Sequence, residues 1–487
     1  MLADFGAPVR GRTPDGRTIV RVKPLSGLDA AFLHLETPET PMNVGSLHLL
    51  RVPARGRAGF LERVRRHVEG RLHLVPVFTR RIASLPFDIA SPVWVEDRAV
   101  DLEWHVRRVR LPKPGTMAQL ESLVARLHAE LLDRERPLWR FHLIEGLEGG
   151  EVAWYAKVHH ATLDGAAGVK LAEALLDASP RGRRVSPPAP RALEETPGMG
   201  ELLGAAIAKS VGEYGKFLRA IPDAARLVDG SLSALGSLVS TPKGGRRGLP
   251  IGPPTPFNVP IGAARSFATA SIPLEEVKTV ARRHGATVND VVLALVGGAV
   301  RSWLKGRRAL PDAPLVAAMP VSLRGEGDSI YTTRATMVLA NLATHLDDPL
   351  ARLHAIRASA GRAKEITIRA KSVIPMDLPA IGAPWVISGI ARAYGYAQSV
   401  KAFPPLANLV VSNVPGPRAP LHLAGARVRS WWPVSIVEHG LGLNVTVESY
   451  CGSLDFGLVA AREAMADARR LAAALYDAHE EMKKMRA

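Results

Sequence analysis

Two breaks in the chain limit its fold more than any other feature. Residues 180–198 (PRGRRVSPPAPRALEETPG) are rich in proline and arginine, and residues 241–258 (TPKGGRRGLPIGPPTPFN) in proline and glycine. Proline removes a backbone donor and fixes φ, so neither stretch carries a helix interior or a central strand. Between them Leu202, Leu203, Ile207, Val211, Tyr214 and Leu218 recur at three- and four-residue steps, the period of a helix. Pro222 interrupts this stripe, and Leu227, Leu232, Leu235 and Leu238 resume it. The spacing predicts two mixed αβ halves joined by a helical crossover. The expected division is a loose basic arm over 1–23, a first lobe over 24–190, a helical linker over 191–258 and a second lobe over 259–487.

Within the first half, helices are expected at Phe60–Glu69, Met117–Leu132 and Ala166–Leu176. Strands are expected at Trp139–Ile144 and Val152–Val158, the latter placing Val152, Trp154, Ala156 and Val158 on one face. In the second half Arg265–Ile272 reads as a strand and Leu274–Arg283 as a helix. Val288, Val291, Val292, Leu295, Ala299 and Val300 form a helical stripe, with Thr287 as N-cap and Asp290 three residues on. Strand-like runs follow at 315–321, 334–343, 408–413, 434–448 and 454–460, and a charged helix closes the chain.

Composition narrows the classes of function. Apolar residues make up 47% of the 487 residues and charged residues 22%, enough to bury a core. The single cysteine, Cys451, excludes a disulfide scaffold, a cysteine-based zinc site and an iron–sulfur protein. The formal charge of +17 points to an anionic partner: nucleic acid, an anionic membrane or a phosphate-bearing ligand. Aromatic residues are only 5%, and no helix-turn-helix, zinc-finger or RNP pattern supports nucleic-acid binding. The N-terminus has no apolar export segment and no uncharged run is long enough to span a bilayer, so a cytoplasmic location is expected. No phosphate-binding or dinucleotide fingerprint is present, so no cofactor is expected.

The chemistry is concentrated in Lys157-Val158-His159-His160-Ala161-Thr162-Leu163-Asp164-Gly165, where a strand ends and a helix begins. His160 can present an imidazole in a cleft at the strand end, Asp164 can brace the turn through its carboxylate, and Gly165 lets the backbone turn sharply. Imidazole titrates near neutrality, so it suits proton removal from an alcohol or amine. No serine or cysteine nucleophile motif accompanies it, which favours direct attack by a bound acceptor on an activated acyl donor such as a thioester. His159, His160 and Asp164 lack the helical spacing of a zinc site, so no metal is expected.

His159-His160-x-x-x-Asp164-Gly165 resembles the active-site motif of the bacterial wax ester synthase/acyl-CoA:diacylglycerol acyltransferase family. The similarity runs from about 24 to 460, through PLSGLDAAFLHLETPETPMNVGSL (24–47), Pro137-Leu138-Trp139, Asn289-Asp290, Pro320-Val321-Ser322-Leu323-Arg324 and Ser412-Asn413-Val414-Pro415-Gly416-Pro417. Ala461 stands where family members often carry an acidic residue. The resemblance implies an α/β fold of two chloramphenicol-acetyltransferase-like lobes with the site in a channel between them. It implies transfer of a fatty acyl group from acyl-CoA to diacylglycerol or a long-chain alcohol, with His160 as general base and His159 shaping the site. Asp164 is then structural, with Arg324 as its expected partner. Asn289 stabilises an oxyanion or orders the site, and Asp290 caps its helix.

Carrier-protein condensation domains share the short motif, so an ester or amide synthase acting on carrier thioesters is an alternative. A non-catalytic protein of lipid inclusions is another, against which the intact His160 argues. The water-insoluble acceptor adds an expected partner, an anionic membrane or lipid-inclusion surface, with the protein peripheral to the inner face of the plasma membrane or to inclusions.

Overall fold

The computed structural model describes residues 23–25, 27–84, 92–97, 99–162, 167–187, 200, 252–322, 335–370 and 405–486. In the first half the elements run β1 (Lys23–Pro24), α1 (Gly27–Leu35), β2 (Asn43–Arg51), α2 (Phe60–Glu69), β3 (Arg80–Ala83), β4 (Val93–Glu96), α3 (Leu102–His105), β5 (Val106–Arg110), α4 (Met117–Ala129), β6 (Trp139–Glu145), β7 (Val152–His159) and α5 (Ala167–Leu175). In the second they run β8 (Arg265–Pro273), α6 (Leu274–Arg283), α7 (Val288–Lys305), β9 (Val316–Ser322), β10 (Ala335–Asn341), α8 (Pro349–Ala370), β11 (Leu409–Val414), β12 (His422–Leu423), β13 (Ala426–Val428), β14 (Trp432–Val434), β15 (Leu443–Tyr450), β16 (Ser453–Ala461) and α9 (Arg469–Lys484). The helical stripe expected over 199–239 lies outside the described residues, apart from residue 200.

Each half is organised by one mixed sheet. The first has the order β12-β13-β2-β7-β6-β5, with β14 also on β2; the second has the order β10-β9-β11-β15-β16-β8. A small sheet, β1-β4-β3, stands beside the first. Strand β7 lies centrally, antiparallel to both β2 and β6, and all eight of its residues are buried. The face carrying Val152, Trp154 and Val158 packs with Phe60 and Val64 of α2 and Leu171 and Leu175 of α5. The opposite face, through Ala153 and Tyr155, joins Leu120 and Val124 of α4 to Ile261, Phe267 and Val459 of the second half. Apolar burial on both faces thus fixes the strand that ends in His159.

Helix starts follow local chemistry. Thr116 and Gln119 close a capping box on α4, and Thr287 and Asp290 close one on α7, so the expected cap at Thr287 is present. Helix α4 stops at Ala129, short of the expected Leu132. The Lys157 ammonium donates to the Leu127 and Glu130 carbonyls at 2.7 and 2.8 Å and so occupies the helix end.

The run 434–448, expected as one strand, is divided. Strand β14 ends at Val434 and β15 begins at Leu443, with Gly440 between them in the left-handed region at φ 77°. The two pieces serve different sheets. Strand β14 pairs with β2, Trp432 opposite Leu47 and Val434 opposite Gly45, while β15 pairs with β11 and β16. Strand β13 also reaches β2, Val428 opposite Leu50. Gly457 permits this crossing: a Cβ there would lie 1.6 Å from the Pro433 carbonyl oxygen.

Candidate active site

His160 follows the last residue of β7 and starts a single 3₁₀ turn over His160–Thr162. Its backbone N–H donates to the Met42 carbonyl at 2.8 Å. The ring stacks on Phe32 of α1, with centroids 3.9 Å apart and planes inclined by 26°. The strand end and the α1–β2 connection therefore grip the imidazole together. Burial, with a smaller contribution from His159, pushes its pKa down to about 4, so the ring is neutral at pH 7. Its Nδ1 is buried and has no hydrogen-bond partner among the described residues.

His159 is built differently. It is fully buried, and both ring nitrogens are engaged. The Ala161 N–H donates to Nδ1 at 3.0 Å, which requires the hydrogen on Nε2; that N–H donates to Glu36 Oε2, also at 3.0 Å. Glu36 accepts as well from Arg134 Nη2 at 2.9 Å and from the Met42 N–H at 3.2 Å. Burial pushes the Glu36 carboxyl up, but His159 and Arg134 outweigh it and hold the group below the usual carboxylate range. The result is a clamp: His159, Glu36 and Arg134 tie the 36–42 connection to the end of β7, and that connection supplies the carbonyl that holds His160.

A second layer supports the strand. Asn43, opposite His159 in the β2–β7 register, donates through Nδ2 to the Glu130 carbonyl at 2.9 Å. Lys157 reaches the same carbonyl, and burial pushes its ammonium down to about 8. Beneath it the Tyr155 hydroxyl donates to His128 Nδ1 at 2.8 Å, and His128 Nε2–H donates to the Ser435 carbonyl at 3.0 Å, across the lobes.

His159 and His160 lie side by side at the end of β7 and the turn that follows it. Asp164, Gly165 and Arg324 lie outside the described residues. Asp290 is the capping residue of α7: its carboxylate accepts from the Thr287 N–H and hydroxyl at 2.9 and 2.8 Å. Asn289 is half-buried at the same helix start and accepts from Asn413 Nδ2 at 3.3 Å, which links two of the sequence blocks noted above. No hydrogen bond joins Asn289 to His160 among the described residues. Phe32, Glu36 and Arg134 were not singled out by sequence reasoning. Phe32 and Glu36 fall inside the 24–47 block, and only the antiparallel register of β2 on β7 reveals what they face. Among the described residues no group of three or more His, Cys, Asp or Glu side chains is placed to hold a metal ion, and no helix is long and apolar enough to cross a membrane.

Residues 25–292 match the model of the wax ester synthase/diacylglycerol acyltransferase catalytic domain, and residues 333–483 that of the WS/DGAT C-terminal domain. A Mycobacterium tuberculosis protein that bears a diacylglycerol O-acyltransferase name, Rv3740c, is 38% identical, the match covering 94% of this chain and 99% of the relative. The O-acyltransferase WSD of Acinetobacter baylyi is 34% identical over 91% of this chain and 93% of its own. Among solved structures, the wax ester synthase/diacylglycerol acyltransferase of Marinobacter aquaeolei VT8 superposes with a TM-score of 0.67 at 29% identity, covering 94% of this chain and 98% of that one. A condensation domain of the CDA synthetase, at 17% identity and a TM-score of 0.53 over 96% and 97% of the two chains, shares the fold.

Proposed function

The chain belongs to the wax ester synthase/diacylglycerol acyltransferase family, and on that premise we propose that it transfers a fatty acyl group from acyl-CoA to the hydroxyl of diacylglycerol or a long-chain alcohol, with His160 as general base. The observation that carries this reading is the neutral, half-buried imidazole of His160, stacked on Phe32 and with its backbone held by the Met42 carbonyl at the end of a strand.

The imidazole accepts the hydroxyl proton as the alcohol oxygen forms its bond to the thioester carbonyl carbon. The C–S bond then breaks, and the imidazolium returns the proton to the coenzyme A thiolate. Burial makes the imidazolium costly, so the proton does not rest on His160 but passes to the leaving sulfur. His159 acts through the clamp: with both nitrogens occupied it positions the 36–42 connection rather than taking a proton. Asn413 holds Oδ1 of Asn289, which leaves the Nδ2 group of Asn289 to donate to the oxyanion. Asp164 braces the turn after His160, with Arg324 as its partner. The acyl donor is a substrate, and no cofactor is required. The basic chain works peripherally at an anionic membrane or lipid-inclusion surface on the cytoplasmic side, where its acceptor resides.

The test supplies radiolabelled palmitoyl-CoA with diolein, hexadecanol or no acceptor. His160→Ala is expected to lower neutral-lipid formation by about 10²–10⁴-fold while leaving the melting temperature close to that of the wild type. Equal product from both proteins removes His160 as the base. Product with an amine or a carrier thioester but with no alcohol replaces the reading with a condensation reaction.

A further inference from the structure

Between α4 of the first lobe and the start of β8 in the second lies a cleft of about 700 Å³, within the size range of small-molecule sites. Four arginines from separate parts of the chain line it: Arg126 of α4, Arg265 of β8, Arg462 just after β16 and Arg469 of α9. Two of its three acids are already engaged. Glu121 accepts from both the N–H and the hydroxyl of Thr269 at 2.8 Å, and burial pushes its carboxyl up. Asp467 is paired with Arg469 at 3.1 Å. The third, Glu130, is exposed. Arg126 and Arg462 are exposed and make no ion pair with a described residue. The cleft therefore presents two free guanidinium groups, suited to the bidentate recognition of phosphate.

Its position ties it to the reaction. The Arg265 guanidinium donates to the Glu39 carbonyl. Glu39 is three residues from Glu36, which holds His159, and three from Met42, which holds His160. Three residues of chain span no more than about 11 Å even when fully extended. Through Arg265 the lining of the cleft thus touches the 36–42 connection that holds both histidines.

We propose that this inter-lobe cleft seats the phosphates of the coenzyme A moiety of the donor, with Arg126 and Arg462 contacting them and the uncharged pantetheine arm running along the 36–42 connection to His160. The assignment rests on the acyl-CoA reading above. It commits to the coenzyme rather than to a phospholipid headgroup because the cleft lies between the lobes and beside the connection that holds the imidazole.

The experiment measures binding of free coenzyme A by calorimetry to wild type, to the double variant Arg126→Ala/Arg462→Ala, and to Arg108→Ala, an exposed arginine on β5 that matches the loss of charge. It then compares kcat/KM for octanoyl-CoA with that for octanoyl-pantetheine, which lacks the nucleotide. The double variant is expected to bind coenzyme A about tenfold or more weakly and to lose the preference for octanoyl-CoA by a similar factor, while Arg108→Ala binds like wild type. A double variant that binds coenzyme A as tightly as wild type overturns the assignment, whatever happens to transfer. So does one that keeps coenzyme A but loses phosphatidylglycerol vesicles, which would give the cleft to a lipid headgroup. A wild type that binds coenzyme A through these arginines yet acylates no alcohol leaves the cleft standing and removes the transferase reading. A wild type that binds no coenzyme A removes both.

Discussion

The two lobes share a layout of helices on a mixed sheet, yet they bury different things. The hydrophobic cluster of the second lobe joins Val291, Val292, Leu295 and Val296 of α7 to Leu471 and Leu475 of α9 and to Val445 and Phe456 of the sheet, and the polar groups buried beside it are mostly amides, hydroxyls, carboxylates and guanidinium groups, among them Asn408, Thr344, Asp455 and Arg352. The first lobe buries polar groups around its central strand, among them Asn43, His48, His105, His128, His142, Lys157 and His159. His48 donates to the Ser430 carbonyl, His105 to the Trp139 carbonyl and His128 to the Ser435 carbonyl, while His159 donates to the Glu36 carboxylate; His479, the one buried histidine of the second lobe among the described residues, lies 3.5 Å from the Glu276 carboxylate. Burying a polar group costs stability unless it is bonded, and burying its charged form costs far more. The lobe that carries His160 thus gathers imidazoles that burial keeps uncharged, His48, His105, His128 and His142 among them, whereas in the other lobe the same effect falls on His479 alone among the buried histidines of the described residues.

Acid breaks that contrast most forcefully. Burial pushes His48 and His105 to about 4 and His128 and His142 to about 3, from 6.5 when unfolded. Between those values the unfolded chain binds more protons, so their contribution is fully present above pH 6.5 and is lost as pH falls toward 4 and below. The urea midpoint is expected to drop steeply over that window. Hydrogen exchange, corrected for the intrinsic pH dependence of amides, should show α4 losing protection before α7. Simultaneous loss in both helices would make the two lobes one acid-sensitive unit.

A smaller and sharper test lies in the clamp. Glu36→Gln keeps an acceptor for His159 but removes the charge that holds Arg134, and misplacement of the imidazole should lower transfer about tenfold. Its signature is a fall in kcat with KM for the donor little changed, and unaltered kcat would show that the 36–42 connection holds its shape without the carboxylate. The smallest effect is expected in the second lobe. Asn413→Ala removes one solvent-accessible hydrogen bond to Asn289, worth about 0.5 kcal/mol of stability by urea titration; a loss several times larger would mean that this amide pair supports the lobe rather than the site.

How far the sequence could be read depends on distance along the chain. The capping box of α7 lies within four residues, and the α2 and α6 spans follow from short-range period, so Phe60–Glu69 and Leu274–Arg283 are found where expected. The histidine pair is legible because β7 and the turn after it are local. The partner of His159 is not. Glu36 meets it only through the pairing of Asn43 with His159, and no local pattern announces which strand β2 will join. The division of 434–448 failed for a related reason: alternation marks a strand but does not name its sheet, and here one stretch serves both.

That shared stretch has a bearing on how the protein is made. Strands β13 and β14 complete the sheet on the far side of β2 from the catalytic strand, and they are synthesised after every other strand of that sheet. A nascent chain emerging from the ribosome therefore holds its histidines on an unfinished scaffold until residue 434 has cleared the exit tunnel. Assembly of the reacting centre is in this way postponed until most of the second lobe has also been translated.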